Sequence, residues 1–192
     1  MAQQLTVNDL LWGYHNGWFP MAEADGEIYW FNPPKRGVIE LDKLKISRSL
    51  QQTIKKNIFE THINTAFKNV MEHCAARDET WISTEVIRAY CELHELGFAH
   101  SVETWHEGKL VGGLYGVAIG SAFFGESMFS TMTDASKVAL VALIERMKAR
   151  GYVLLDTQFI TPHLQRLGAI EIPGDEYLRR LYAALKRECS FA

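Results

Sequence analysis

The segment 134–150 constrains the fold most, because it is long enough for several helical turns and has almost no polar face. Its central run, 138–144, reads Val-Ala-Leu-Val-Ala-Leu-Ile and is wholly apolar. A helix that is apolar on every side is stable only when other elements cover it. Gly151 indicates the end of the helix, and residues 152–156 then predict a short buried strand.

Three strands are predicted ahead of this helix, at 101–106, 109–119 and 121–128. Only Glu107-Gly108 and Gly120 separate them, so neighbouring strands are expected to pair antiparallel. Strand meander, buried helix and buried strand follow one another in the same order as in N-acetyltransferases. This order predicts an α+β fold with a central, mostly antiparallel sheet, and by itself it is only weak support for an N-acetyltransferase-like domain, which the family resemblance described below also implies.

A small N-terminal domain is predicted for residues 1–34, and a larger domain, which contains the sheet, for 35–192. Pro33-Pro34 marks the boundary. The small domain contains a helix predicted at 8–16, with Asn8 as its N-cap and Gly17 as its stop, and an aromatic segment. About 30 residues are too few to fold alone, so this part must pack on the larger one. Further helices are predicted at 47–56, 66–76 and 84–96.

Charge is distributed unevenly in a chain of 192 residues whose net charge is −3. Residues 35–68 contain eight bases and three acids and carry +5. This basic stretch is either a phosphate-binding face or an ordinary solvated surface. On the first interpretation the residues that bind RNA phosphates are Lys35, Arg36, Lys45, Arg48, Lys55 and Lys56.

Several functional classes are excluded by absent patterns. No run of 18 apolar residues is present, so no membrane span is expected. The three cysteines form no CxxC pair and the N-terminus does not resemble a signal peptide, so we expect a cytoplasmic protein. The chain has no HExxH metal motif and no GxSxG nucleophile motif. The glycine-rich run 112–116 lies within a predicted strand, where glycines indicate a bulge or a close backbone approach.

Two acids lie in unusually apolar surroundings. Glu126 is part of an aromatic strand segment, 123–129, and Asp156 ends the apolar strand that precedes Gln158. Asp156 and Gln158 are two residues apart and so face the same side of a strand. A carboxylate in apolar company is costly unless it is paired or functional. A structural role, such as capping a loop, remains the alternative for each.

The loop that would bind acetyl-CoA is missing. N-acetyltransferases bind the pyrophosphate of this cofactor with a glycine-rich loop between the fourth strand and the following helix. Here the junction, 130–137, contains no glycine. An acyltransferase fold without this loop is expected to take its acyl group from another donor.

Motifs along nearly the whole chain resemble one family. Among them are Gly-Trp-Phe-Pro at 17–20, Thr-Trp-Ile-Ser at 80–83, Phe-Gly-Glu-Ser-Met-Phe-Ser at 124–130 and Asp-Thr-Gln at 156–158. Others are found at 30–33, 46–50, 89–103, 110–118, 134–137 and 167–173. In this order they resemble the leucyl/phenylalanyl-tRNA–protein transferases, bacterial enzymes that transfer an amino acid from aminoacyl-tRNA to a protein N-terminus.

The resemblance implies the substrates and the site. The donors would be leucyl-, phenylalanyl- and, less efficiently, methionyl-tRNA, and the acceptors would be proteins beginning with Arg or Lys, which are thereby marked for N-degron degradation. It implies no cofactor and no metal, and we expect a monomer. Asp156 and Gln158 match the catalytic pair, Trp81 a residue at the terminal adenosine, and Glu126 the active-site strand. The apolar donor pocket would consist of Leu114, Phe123, Met128, Leu143 and Met147.

Two departures and two alternatives complete the interpretation. Many family members have Trp where this chain has Met21, and Thr161 replaces a polar amide found in some relatives. The chain is alternatively an acetyl-CoA-dependent acetyltransferase, or an RNA-binding adaptor without activity. On mechanism, we expect an ionised Asp156 to accept a hydrogen bond from the acceptor amine while Gln158 positions the reacting groups.

Overall fold

The computed structural model describes residues 5–23, 26–77 and 80–192. The strands within these ranges are β1 (Phe19–Ala22), β2 (Ile28–Phe31), β3 (Lys35–Ile39), β4 (Glu60–Ile63), β5 (Ala99–His106), β6 (Lys109–Ile119), β7 (Ala122–Ser130), β8 (Leu154–Gln158) and β9 (Ile170–Pro173). The helices are α1 (Val7–His15), α2 (Arg48–Lys55), α3 (Phe67–Ala75), α4 (Thr84–Glu95), α5 (Ala135–Ala149), α6 (Pro162–Arg166) and α7 (Gly174–Leu185).

The central sheet has the strand order β4-β5-β6-β7-β8-β3-β9. The meander β5-β6-β7 is antiparallel, as predicted, and β8 lies parallel to β7 after the crossover through α5. β3 begins directly after the Pro-Pro boundary and inserts between β8 and β9, antiparallel to both. The sequence interpretation missed β3, β4 and β9. The predicted α+β class and the predicted order of meander, buried helix and buried strand are confirmed.

The helix at 134–150 is confirmed as α5, and it is covered as expected. Residues from Ala135 to Met147 bury most of its surface between the sheet and other helices. At Gly112 on β6, an added Cβ would lie 2.6 Å from the Cβ of Ala135. The glycine therefore permits the close approach of α5 to the sheet, in agreement with the sequence interpretation of this glycine-rich run.

The start of α1 differs from the prediction. Thr6, not Asn8, is the N-cap: its hydroxyl accepts a hydrogen bond from the Asp9 amide at 3.2 Å. The Asp9 carboxylate accepts one in return from the Thr6 amide at 3.0 Å. This reciprocal capping box satisfies two backbone donors at once, which the lone Asn8 side chain would not do.

The N-terminal elements share a core with the rest of the chain. β1 and β2 form a separate two-stranded sheet. Leu10, Tyr14 and Phe19 nevertheless belong to the same buried cluster as Tyr90 of α4 and Tyr177 of α7. The division into domains at residues 34 and 35 stays a prediction. Within the described ranges, no helix is long and apolar enough to cross a bilayer.

Candidate active site

Asp156 is anchored by an arginine from the neighbouring strand. Arg36 of β3 reaches it through Nε–Oδ1 at 2.9 Å and Nη2–Oδ2 at 2.8 Å, and neither side chain has any exposed area. The prediction that Arg36 binds tRNA is therefore wrong, because a fully buried guanidinium cannot reach a phosphate. The charge that was assigned to the basic surface instead neutralises the carboxylate in the interior.

The surroundings of Arg36 explain how the pair tolerates burial. Its guanidinium lies between the rings of Phe19 and Tyr177, 4.5 Å from each centroid, and Nη1 donates to the Gly17 carbonyl at 3.0 Å. Burial opposes protonation, but the Asp156 carboxylate and its hydrogen bonds raise the pKa of Arg36 above its ordinary value. Arg36 is therefore a permanent cation that links β1, β3, β8 and α7.

Both oxygens of Asp156 are occupied. Besides Arg36, Oδ1 accepts from the Gln158 amide at 2.8 Å, and Oδ2 accepts from the Tyr177 hydroxyl at 2.7 Å. The expectation that Asp156 accepts a hydrogen bond from the acceptor amine is wrong in this structure, because the carboxylate is buried and its acceptor sites face protein donors. Asp156 instead fixes the backbone of Gln158.

Gln158 connects this anchor to a second carboxylate. Its backbone has φ 62°, a left-handed conformation that is uncommon for a residue with a side chain, and the Asp156 hydrogen bond holds it there. Its Nε2 donates to Oε1 of Glu126 at 2.7 Å. The structure thus places Gln158 and Glu126, two of the predicted site residues, in direct contact across β7 and β8.

Glu126 is surrounded by hydroxyl and amide donors. Tyr14 donates to Oε1 at 2.7 Å and Tyr90 to Oε2 at 3.4 Å, and the two tyrosine hydroxyls contact each other. Desolvation by the surrounding protein raises the pKa of Glu126 to about 7, although hydrogen bonds from Tyr14 and Gln158 act in the opposite direction. Glu126 keeps some exposure, toward the cavity described next. A carboxylate with this pKa exchanges protons near neutral pH.

An apolar cavity of about 90 Å³ adjoins Glu126. Three of the predicted pocket residues line it: Leu114, Met128 and Leu143. Phe123 and Met147 belong to the same buried cluster as these walls but do not line the cavity. Leu140, Leu155 and Leu164 complete the apolar lining, and the sequence interpretation missed them.

Two hydroxyl groups at this cavity lack hydrogen-bond partners. Tyr115 and Thr157 both line it, and in the described part of the chain neither Tyr115 Oη nor Thr157 Oγ1 has a partner, although both atoms are buried. An unpaired buried hydroxyl is costly and is often a sign of a missing ligand group or water. Both hydroxyls therefore have unused hydrogen-bonding capacity at the cavity.

Trp81 and the basic residues lie away from the cavity walls. The Trp81 carbonyl accepts a hydrogen bond from the Ala22 amide at 3.3 Å, next to Met21, so both positions singled out in the sequence lie at β1. The remaining predicted RNA-binding cations are all exposed: Lys35, Lys45, Arg48, Lys55 and Lys56. Their role, and that of Trp81, stays a prediction. Among the described residues, no group of three His, Cys, Asp or Glu side chains could hold a metal ion.

Comparisons with known proteins agree on one family. A family model described as leucyl/phenylalanyl-tRNA protein transferase matches residues 38–182, and the model of that family's N-terminal domain matches 3–34. A leucyl/phenylalanyl-tRNA–protein transferase of Herpetosiphon aurantiacus is 53% identical over all of both chains. One of Rubrobacter xylanophilus is 52% identical over 98% of this chain and 100% of its own.

A solved structure supports the fold alone. A conserved protein of unknown function from Bacteroides thetaiotaomicron has a TM-score of 0.52 with 12% identity, and the match spans 82% of this chain and 57% of that one. Function rests on the sequence relatives, which match this chain along its whole length and share one name. The chain belongs to the leucyl/phenylalanyl-tRNA–protein transferase family, a family of acyltransferase enzymes.

Proposed function

We propose that this protein transfers Leu or Phe, and less efficiently Met, from aminoacyl-tRNA to the N-terminal α-amine of proteins that begin with Arg or Lys. The products would enter N-degron degradation. The observation that supports this proposal best is an apolar cavity with one partly exposed carboxylate, Glu126, at its wall. The cavity suits an apolar donor side chain, and the carboxylate suits a cationic acceptor.

The donor side chain would occupy the cavity. Its walls are mainly leucine side chains with Met128, and a flexible thioether adapts to side chains of different shape. Leu, Phe and Met extend beyond an unbranched Cβ, whereas Val and Ile branch there. Such differences are worth only about 1–3 kcal/mol in an apolar pocket, so rejection of Val and Ile is expected to be limited.

The reaction itself does not need a strongly basic residue. The acceptor α-amine attacks the ester carbonyl, the new amide bond forms, the ester C–O bond breaks, and the tRNA 3′-hydroxyl leaves with the proton lost by the amine. An α-amine has a pKa of about 8, so a useful fraction is already neutral at physiological pH. Correct placement of amine and ester can then supply much of the rate enhancement.

Glu126 is our candidate for the group that contacts the acceptor amine. It is partly exposed, its pKa of about 7 lets it accept a proton at neutral pH, and Gln158 holds it at 2.7 Å. Gln158 is buried and does not line the cavity, so its amide would act on the reacting groups by holding Glu126 in place. Asp156 and Arg36 are positioning residues, because they reach the site only through the backbone and side chain of Gln158.

The tRNA body would lie on the exposed cations of the basic stretch. Arg48, Lys55 and Lys56 are close together in sequence on α2 and its C-terminal cap. Exposed cations of this kind bind phosphates through a salt-sensitive, sequence-independent interaction. Five of the six cations predicted from the sequence remain in this assignment, because Arg36 is buried.

The test supplies the purified protein with labelled leucyl- or phenylalanyl-tRNA and with otherwise identical peptides that begin with Arg, Lys, Asp or Glu. We expect labelled product only with Arg and Lys. Transfer confined to Asp and Glu would identify a different acceptor specificity, and no transfer to any peptide would refute the proposal. Acetyl-CoA is the control ligand: it should not raise the thermal unfolding temperature.

A further inference from the structure

A second, larger cleft lies next to the donor cavity. It has a volume of about 440 Å³ and is formed by the end of α3, the end of β7 and residues at the start of α5. We call it the β7 cleft and define it by His73, Arg77, Met128, Ser130 and His163, which all line it. Met128 lines the donor cavity as well, so the two spaces meet at this side chain.

Arg77 stands on the boundary between the two spaces. Its Nη2 donates to Ser127 Oγ at 3.0 Å and also contacts the Met128 carbonyl oxygen. Ser127 and Met128 are walls of the donor cavity, while Arg77 is exposed and lines the β7 cleft. A positive charge is therefore fixed at the point where a ligand would pass from one space into the other.

The chemistry of the cleft suits a nucleotide. The exposed ring of His73 stacks on Phe129, with centroids 4.6 Å apart and an interplanar angle of 12°, and so offers a flat surface. Burial, together with the positive charges of Lys137 and Arg166, lowers the pKa of His163. In the described ranges no carboxylate lines the cleft. Flat rings with nearby cations are the usual components of sites for single-stranded nucleic acid.

We propose that the β7 cleft binds the nucleotide that precedes the terminal adenosine of the donor tRNA. This inference rests on the proposed function. When the aminoacyl side chain fills the donor cavity, the ribose and the RNA chain must leave it, and the cleft is the adjoining space that presents a cation, Arg77. Arg77 would neutralise the linking phosphate, and the His73–Phe129 stack would support the cytosine ring. An acceptor peptide beginning with Arg or Lys would be repelled by the same cation.

The test compares two short donors that differ by one nucleotide, leucyl-adenosine and leucyl-cytidylyl-adenosine. For each we take kcat/KM in transfer to an Arg peptide and form the ratio of the longer to the shorter donor. We expect Arg77→Gln and His73→Ala each to lower this ratio about five- to tenfold. The matched controls are Arg179→Gln and His15→Ala, which change exposed residues on α7 and α1 and should leave the ratio unchanged.

Each other outcome contradicts the inference in a recognisable way. An unchanged ratio with lower kcat/KM for both donors would mean that Arg77 only shapes the donor cavity through Ser127. A raised KM for the Arg peptide, with no change in the donor ratio, would place the acceptor polypeptide in the cleft. Failure of the unmodified protein to use either donor, while it also fails with leucyl-tRNA, would refute the proposed function instead.

Discussion

Replacement of Arg36 by methionine tests whether the buried ion pair organises the site. Methionine has a similar stem length and keeps the apolar contacts between Phe19 and Tyr177, but it removes every hydrogen bond from the guanidinium to Asp156 and Gly17. Asp156 then has no cation in its fully buried environment. The variant therefore isolates the charge and the hydrogen bonds from the packing.

The expected cost follows from the burial of both partners. Removing one partner of a buried ion pair leaves the other charge uncompensated, which costs about 3–5 kcal/mol. Arg36→Met should lower the free energy of unfolding by about this amount. In Arg36→Met/Asp156→Asn the charge is gone, the amide oxygen can still accept from the Gln158 amide, and the amide NH2 can donate to the Tyr177 hydroxyl oxygen. The double variant should lose only about 1–2 kcal/mol, and so be more stable than the single one.

Urea denaturation at neutral pH measures these free energies, with the slopes compared to verify that the same surface unfolds. The control is Arg180→Met, which breaks two partly exposed ion pairs, with Glu40 at 2.7 Å and with Glu176 at 2.6 Å, and should cost about 1 kcal/mol or less. The reasoning fails if Arg36→Met costs no more than this control, or if adding Asp156→Asn lowers the stability further instead of restoring it.

The remaining predictions concern the donor, the acceptor and the RNA surface. Because Glu126 has a pKa of about 7, its ionised fraction rises with pH, and kcat/KM should rise through pH 7. In a pH–rate profile, Glu126→Gln should abolish this inflection and lower kcat/KM about 100-fold. Leu143→Ala enlarges the donor cavity, so the ratio of kcat/KM for Phe-tRNA to that for Leu-tRNA should rise at least about threefold, while urea denaturation shows a loss of about 2–5 kcal/mol. The double variant Lys55→Glu/Lys56→Glu should raise the Kd for tRNA at least about tenfold and make this Kd less dependent on salt concentration. Lys109→Glu, an exposed control on β6, should change neither the Kd nor its salt dependence. An equal effect of the control would contradict the assignment of the tRNA-binding surface to α2.

The meander, α5 and β8 were predictable because their sequence patterns have direct physical causes. An antiparallel meander needs only short turns between its strands, and a helix that is apolar on all sides must be covered by other elements. The sequence of residues 101–156 therefore predicted the type of each element and the order in which the elements follow one another. β3 was missed because Lys35-Arg36 reads as part of a charged surface. The next three residues, Gly37-Val38-Ile39, are all buried in the structure. In the sequence they form an uncharged run, which is typical of a central strand, and a central strand at this position would have predicted that Arg36 is buried as well.

Individual site residues were predictable only where a charged side chain lies among apolar neighbours in the sequence. Glu126 lies among aromatic residues and Asp156 ends an apolar strand, and burial of an unpaired carboxylate in such surroundings has a high free-energy cost, so both residues were identified from the sequence. Besides Gln158, the partners of these carboxylates are Arg36, Tyr14, Tyr90 and Tyr177, which come from four separate elements. Tyrosine is common in ordinary cores, and no local pattern indicates which hydroxyl will meet a carboxylate across the fold.

The origin of these partners has a consequence for biosynthesis. Tyr14 contacts Glu126 and Tyr177 contacts Asp156, so the groups that complete the site are separated by most of the chain. During translation both carboxylates are synthesised before Tyr177. A nascent chain in which α7 has not yet folded onto the sheet therefore lacks the Tyr177 hydrogen bond to Asp156, and it should not be competent to transfer an amino acid until that helix has docked.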